Sequence, residues 1–260
     1  MKFEKHLKNA VSAAVLIAGL GLASGATAEE SAGAADAKAT LSNYAEVENT
    51  VRMLAPGAKI ESIKPVDLTQ LYEVSFGAEV AYVTKDGRYM FLGDLVDITA
   101  KENLTENQRA VARKKLVANM DPASLIVFGA KQPKHTLTVF TDIDCGYCRK
   151  MHSEMADYEK EGIQIRYAAF PRAGIPSESY DKAVAAWCAK DRQAALTDAK
   201  AGKKLTKAAD DCVNPVKEHY NITRQLRLDG TPTLVLEDGT VIPGYVPAAR
   251  LRAMLEQQGG

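Results

Sequence analysis

An excess of either charge is missing from this chain. Lys plus Arg and Asp plus Glu each number 33, so the formal net charge is zero. A nucleic-acid binder carries a basic excess, and nothing here favours a strongly charged substrate. A long apolar run is missing too. The one uncharged apolar stretch near the start covers residues 11–22, whereas crossing a bilayer takes about 20 residues. A polytopic membrane protein is excluded. Cysteine is scarce, with four in 260 residues. That is too few for a miniprotein stapled by disulfides, so a hydrophobic core must hold the fold. Internal repeats and extended low-complexity tracts are absent. What remains is ordinary for a soluble globular chain, with 46% hydrophobic and 25% charged residues. At roughly 100–200 residues per domain, the length fits one large domain or two small ones.

The first 28 residues differ from the rest. Lys2, Lys5 and Lys8 precede the apolar run, and Ala26-Thr27-Ala28 supplies small residues for a signal peptidase. This three-part pattern is that of a secretory signal, with cleavage placed after Ala28; an uncleaved membrane anchor is the alternative. No twin-arginine pair is present, which predicts export in the unfolded state. Without the signal, 30 basic and 32 acidic residues remain. Export also changes how the cysteines read. An even number in an exported chain suggests disulfides.

Residues 29–38 read as a loose start. Apolar residues at helical spacing predict a helix over 40–54, stopped by Pro56-Gly57. Strand-like runs follow at 59–63, 71–76, 79–84 and 88–92, with Asp86-Gly87 as a hairpin signal. Residues 101–120 lack Pro and Gly and predict a helix, either a connector or one packed on a neighbouring domain. Thr105 and Gln108 fit a capping box there. Beyond Asp121-Pro122 the pattern alternates. Strands are expected at 125–128, 137–140, 164–170, 233–236 and 240–242, and helices at 147–160, 179–190 and 248–257. The order implies an α/β layered domain with a mixed sheet.

Cys145-Gly146-Tyr147-Cys148 follows the 137–140 strand and opens a helix. Free N–H groups and a partial positive charge at a helix start stabilise a thiolate. Cys145 is therefore the expected exposed nucleophile and Cys148, about one turn on, the resolving thiol. Arg149 adds positive field or points to solvent. Half a zinc site would need two more ligands at matching spacing. Cys188 and Cys212 do not form a second such pair, and His135, His152 and His219 read as surface or boundary residues. No metal and no cofactor are expected, and redox chemistry is favoured by the strand-to-helix context. Gly230-Thr231-Pro232 precedes the 233–236 strand. A cis peptide at Pro232 would make a rigid turn and leave the Thr231 backbone free for an extended substrate, although trans is the ordinary state of such bonds.

These residues resemble the thioredoxin superfamily, and within it the periplasmic disulfide isomerases of the DsbC family. The resemblance is carried by residues 138–148, Ala169-Phe170-Pro171-Arg172, Trp187-Cys188-Ala189-Lys190-Asp191, Gly230-Thr231-Pro232 and Pro243-Gly244-Tyr245. It covers most of residues 135–250. It implies a cis Pro232 beside Cys145, with Cys145, Cys148, Thr231 and Pro232 forming the catalytic site. It implies a small N-terminal dimerisation domain (29–100) of helix plus antiparallel sheet, a helical linker (101–120) and a C-terminal thioredoxin-like domain (121–260). A V-shaped homodimer would hold misoxidised or unfolded exported proteins in its cleft. Reducing power would come from an inner-membrane thiol-disulfide donor of the DsbD kind, and the location would be the periplasm. One departure is visible. Many superfamily members place a buried acid six residues before the nucleophile, where this chain has Val139. Proton transfer at Cys148 must then use water or another group; Asp142 and Asp144 read as loop caps.

Cys188 and Cys212 bracket a polar, helical, Lys-rich segment, broken by Gly202. A structural disulfide between them is expected, against two free thiols or a second redox pair. The expected activity is disulfide isomerisation or reduction in exported proteins, with chaperone activity beside it. A dithiol oxidase and a holdase chaperone are the competing functions.

Overall fold

A computed structural model describes residues 44–66 and 70–258. The expected signal segment, the loose start over 29–38 and the first residues of the 40–54 helix lie outside the described residues. The chain divides into two compact units, the first running to Arg109 and the second from Ala110. Among the described residues, no helix is long and apolar enough to cross a membrane.

In the first unit, helix α1 (Ala45–Leu54) buries Val47 and Val51, four residues apart and so on one face. It ends at Pro56-Gly57, where Gly57 takes a φ of +94°. Strands β1 (Ser62–Pro65), β2 (Leu71–Phe76), β3 (Glu79–Thr84) and β4 (Met90–Phe91) form an antiparallel sheet in sequence order. The Asp86-Gly87 turn joins β3 to β4. There the Asp86 carboxylate accepts the Arg88 N–H at 3.1 Å, and Gly87 has a φ of +68°. Val47, Val51, Ile63, Val74, Ala81 and Val83 make the core between helix and sheet. Two short strands, β5 (Val96–Asp97) and β6 (Glu102–Asn103), pair beyond it.

Helix α2 (Leu104–Ala118) fills the expected connector segment. Its capping differs from the sequence expectation. Asn103, not Thr105, accepts the Glu106 N–H at 2.9 Å. Thr105 is wholly buried, its hydroxyl bonded to Tyr82 Oη at 2.6 Å and accepting the Leu95 N–H at 2.7 Å. A hydroxyl already held by tertiary partners is unavailable as a cap. At the other end, Leu116 and Val117 pack with Met120, Leu125 and Phe140 in the second unit. Val111, at the middle of the helix, is 65% exposed.

The second unit is built on a five-stranded sheet. Its strands are β7 (Ile126–Gly129), β8 (His135–Thr141), β9 (Ile163–Ala169), β10 (Thr233–Val235) and β11 (Val241–Pro243), in the order β11-β10-β8-β9-β7. Strands β8 and β9 run parallel, and every other pair is antiparallel. This is the mixed sheet expected from the β and α alternation. Successive side chains point to opposite faces, so each central strand feeds two cores. Leu137, Val139, Ile165 and Tyr167 join one, and Phe140, Ala168, Phe170 and Val235 the other.

Helices α3 (Gly146–Ser153), α4 (Met155–Lys160), α5 (Glu178–Trp187), α6 (Arg192–Lys200), α7 (Val216–Gln225) and α8 (Ala248–Gln258) complete the unit. The expected helix over 147–160 is broken at Glu154, whose carboxylate accepts a hydrogen bond from Tyr245 Oη. The turn between β10 and β11 lies hard against α2: a Cβ on Gly239, whose φ is +92°, would meet Ala110 O at 1.8 Å.

Candidate active site

Strand β8 delivers the chain to the site from the middle of the sheet. The turn after it is held by Asp142, which is 3% exposed. One carboxylate oxygen accepts the Asp144 N–H at 2.7 Å, and the other accepts the Arg172 N–H at 2.8 Å. This is the loop-capping role read from the sequence. Cys145 then occupies the N-cap of α3, with no acidic residue in the first turn to oppose the positive end of the helix. Cys148, in that first turn, is wholly buried. Both sulfurs are free thiols.

The Thr231–Pro232 peptide is cis, and the Cys145 thiol donates to Thr231 O at 3.2 Å. A bond from the Gly244 N–H to Pro232 O at 2.8 Å ties this loop to the β10–β11 hairpin. The structure thus brings Cys145, Cys148, Thr231 and Pro232 together at one end of the sheet. Ile175–Pro176 is also cis, a feature the sequence did not suggest. Cys145 departs from the expected exposed nucleophile: the Thr231 loop covers it, and it is only 4% exposed. Tyr147 beside it is 64% exposed, its ring stacked on Tyr245 at 6.3 Å.

The two thiols are driven apart in acidity. Cys145 is lowered to about 5, chiefly by the hydrogen bond from the Cys148 thiol. The Thr231 side-chain hydroxyl, the Cys148 backbone N–H and the Arg172 charge add to this, while burial opposes it. Burial pushes Cys148 far up, and donating its hydrogen bond to Cys145 pushes it further. Pairs of titratable groups separated in this way mark a division of chemical roles. At neutral pH one sulfur is a thiolate and the other holds its proton.

The cation acting on Cys145 is Arg172, which approaches Asp142 at 3.7 Å. Arg149 instead donates to Ile143 O at 2.8 Å and to the Asp144 carboxylate at 3.0 Å. Arg172 ends one of the motif stretches, but nothing in its local sequence marks it as the cation beside Cys145. Val139, at the position of the superfamily's buried acid, is fully buried among apolar neighbours.

Two of the histidines correct the sequence reading. His152 and His219 are 8% and 1% exposed, not surface residues. His219 bonds to Ser124 Oγ at 2.9 Å and accepts the Ala169 N–H at 3.2 Å. His152 bonds to Thr197 Oγ1 at 3.0 Å. Burial lowers both to about 4, so each is neutral at pH 7. Among the described residues, no three His, Cys, Asp or Glu side chains gather as a metal site. Cys188 and Cys212 are joined in a disulfide with a Cα–Cα distance of 6.2 Å. They close a segment that includes α6.

Two family models match the chain. One, described as a thioredoxin-like domain, matches residues 122–259, and the other, described as a disulfide bond isomerase protein N-terminal domain, matches residues 26–106. The thiol:disulfide interchange protein DsbC of Escherichia coli (strain K12) is 37% identical over 224 residues, 84% of this chain and 92% of that protein. The chain belongs to the DsbC family. The DsbC protein of Salmonella typhimurium is 41% identical over 68% of this chain and 73% of its own length. A crystal structure of a disulfide interchange protein from Neisseria gonorrhoeae is similar at 29% identity and a TM-score of 0.44. It covers 53% of this chain and 97% of the matched one. Like its DsbC relatives, this chain is a thiol:disulfide interchange protein built on a thioredoxin-like domain.

Proposed function

We propose that this DsbC-family chain rearranges wrong disulfides in exported proteins through Cys145 and Cys148. The observation that carries the reading is the placement of Cys145: an N-cap thiol held low in pKa, against the Thr231 backbone, with a protonated Cys148 one turn behind. The Cys145 thiolate attacks a client disulfide and forms a mixed disulfide, releasing a client thiolate that takes up a proton. A client thiolate then attacks the client sulfur of that bond. It forms the correct client disulfide and returns Cys145 as thiolate, with no net oxidation. If this stalls, Cys148 loses its proton and attacks Cys145 Sγ. The enzyme is oxidised to the 145–148 disulfide and the client is reduced by two electrons. Thr231 and Pro232 shape the surface on which an extended client segment lies.

The reading extends to the rest of the chain. Residues 1–28 are a signal peptide cleaved after about Ala28, and the protein works in the periplasm. Residues 29–100 form a dimerisation domain, 101–120 a helical linker and 121–260 the catalytic domain of a homodimer. Misoxidised or unfolded exported proteins are the clients, and the protein shields them as a chaperone as well as reshuffling them. An inner-membrane thiol-disulfide donor of the DsbD kind keeps Cys145 and Cys148 reduced, and Cys188–Cys212 is structural. The test is rescue of a scrambled disulfide protein. Cys145→Ser abolishes it, while Cys148→Ser retains some shuffling and accumulates mixed disulfides. Isomerase turnover in Cys145→Ser overturns the reading. A 145–148 pair found oxidised in freshly quenched cells turns it toward a dithiol oxidase.

A further inference from the structure

Lys200 is the one lysine in the buried set of the described residues, at 4% exposure. It ends α6, within the stretch that reads as polar and Lys-rich. Its ammonium points inward, beneath the active site. Nζ donates to Thr141 Oγ1 at 2.8 Å and lies 3.5 Å from Asp142 O. It sits 5.4 Å from the centre of the Tyr167 ring. Thr141 is itself 2% exposed, and its hydroxyl acts on the Cys148 thiol, lowering it against the push of burial, as the Lys200 charge also does. Lys200, Thr141 and Cys148 thus form a buried chain ending on the resolving thiol. A charge held this deep is costly unless a partner needs it. Val139 supplies no proton acceptor at the position where the superfamily keeps its buried acid, and both oxygens of Asp142 are taken by backbone N–H groups.

We propose that Lys200, acting through the Thr141 hydroxyl, is the positioning residue that takes the proton from Cys148 when it resolves a mixed disulfide and gives it back when the 145–148 disulfide is reduced. The inference rests on the thiol-exchange reading above. In the resolving step Cys148 Sγ passes its proton to Thr141 Oγ1, whose own proton moves to free-base Lys200 Nζ. The Cys148 thiolate pair forms the bond to Cys145 Sγ, and the Cys145–client S–S bond breaks. The client sulfur leaves with that electron pair and takes a proton from solvent. Two protein thiols are oxidised and one client disulfide is reduced. The ammonium left on Lys200 faces a sulfur that has lost its charge, and it returns its proton along the same path when a donor thiol reduces the pair.

The surroundings suit the role. Burial lowers Lys200 to about 8, so a useful fraction is free base near neutral pH. Cys148, Asp142 and Cys145 favour its charge, and Arg149 opposes it. His152, on α3, is held neutral by its own burial and by Lys200. Tyr167, on β9, keeps its phenolic proton because it is buried.

The test follows the escape of a mixed disulfide formed between reduced protein and a small disulfide-bonded peptide, by rapid acid quench across pH 6–9. In the wild type the intramolecular resolution rate rises with pH through about 8. Lys200→Met slows resolution about a hundredfold at pH 7 and loses that rise, while the first attack by Cys145 stays within about threefold, since Cys145 draws its activation from Cys148 and Arg172. Thr141→Val leaves the charge but cuts the chain, and it slows resolution likewise. If Lys200→Met fails to fold, Thr141→Val and the wild-type pH profile decide. Resolution at the wild-type rate in either folded variant, or a wild-type profile without a rise near 8, overturns the proposal. Failure of the wild type to form the mixed disulfide at all refutes the exchange reading instead.

Discussion

The ionisation of Cys145 can be tested most sharply at acid pH. With its thiol lowered to about 5, about 99% is thiolate at pH 7, against about 3% for an unassisted thiol of pKa about 8.5. A less basic sulfur is also a weaker nucleophile. With a Brønsted slope of 0.4–0.5, the roughly 3.5-unit difference lowers intrinsic reactivity about 25- to 55-fold. At pH 7 the two effects nearly cancel, so a single rate there decides nothing. At pH 5 the thiolate fractions differ about 1,600-fold, and Cys145 reacts about 30- to 60-fold faster than an unstructured cysteine peptide. The assay is exchange with a pyridyl disulfide from pH 3.5 to 9, each rate divided by that of the peptide at the same pH. The Cys145 rate itself, before that division, rises with a midpoint near 5 and is flat from 7 to 9, while the ratio to the peptide falls steadily between that midpoint and the peptide's, about 8.5. Cys148→Ala removes the largest cause of the low value and moves the midpoint up by about one unit or more. A wild-type midpoint above about 8 refutes the reasoning, as does a folded protein whose 4%-exposed Cys145 fails to react at any pH. The same ionisation appears in stability. Because the folded value is depressed, the thiolate stabilises the reduced fold fully above the unfolded value of about 8.5 and loses this as pH falls toward 5. The melting temperature of the reduced form, relative to the oxidised form, therefore drops across that window.

Replacing Cys188 and Cys212 by serine removes a crosslink spanning 24 positions, which costs about 3.5 kcal/mol in the chain-entropy model and is read by urea unfolding of the oxidised proteins. Gly239→Ala drives a Cβ into the Ala110 carbonyl at a φ of +92° and destabilises the second unit by at least about 2 kcal/mol; an unchanged unfolding midpoint refutes the close approach. His152 and His219 are both lowered to about 4 by burial, so they stabilise the fold above about pH 6.5 and lose that contribution as pH falls toward 4. His219→Gln flattens this fall in a pH series of melting curves.

The site was legible because its signals are local. A thiol at the end of an apolar strand and the start of a helix is set by spacing, and Cys145 and Cys148 sit where that spacing put them in the fold. Thr231-Pro232 was visible as a punctuation before a strand, and the family resemblance set it beside Cys145, where the Thr231 carbonyl meets the thiol. The mixed sheet and most strands followed from periodicity. What stayed hidden depends on distant partners. Lys200 looks solvated because its neighbours Thr197, Asp198 and Lys203 are polar; the docking of α6 beneath the active-site turn buries it. His219 looks like a surface residue on α7 until Ser124 and the Ala169 N–H close around it. Thr105 matched a capping pattern, yet Tyr82, 23 residues earlier, claims its hydroxyl. The break at Glu154 is held by Tyr245, 91 residues on. Each miss is a tertiary contact overriding a local preference.

The covalent tie between Cys188 and Cys212 has a bearing on how the protein itself matures. Four cysteines permit three complete pairings. The arrangement with free neighbours at 145 and 148 and a bond between the next two is sequential in chain order, with one pair completed before the other begins. A polypeptide delivered amino terminus first meets its partners in succession, so joining each sulfur to its nearest successor suffices. An agent that untangles the mistakes of others is thus laid out so that its own assembly offers little to untangle.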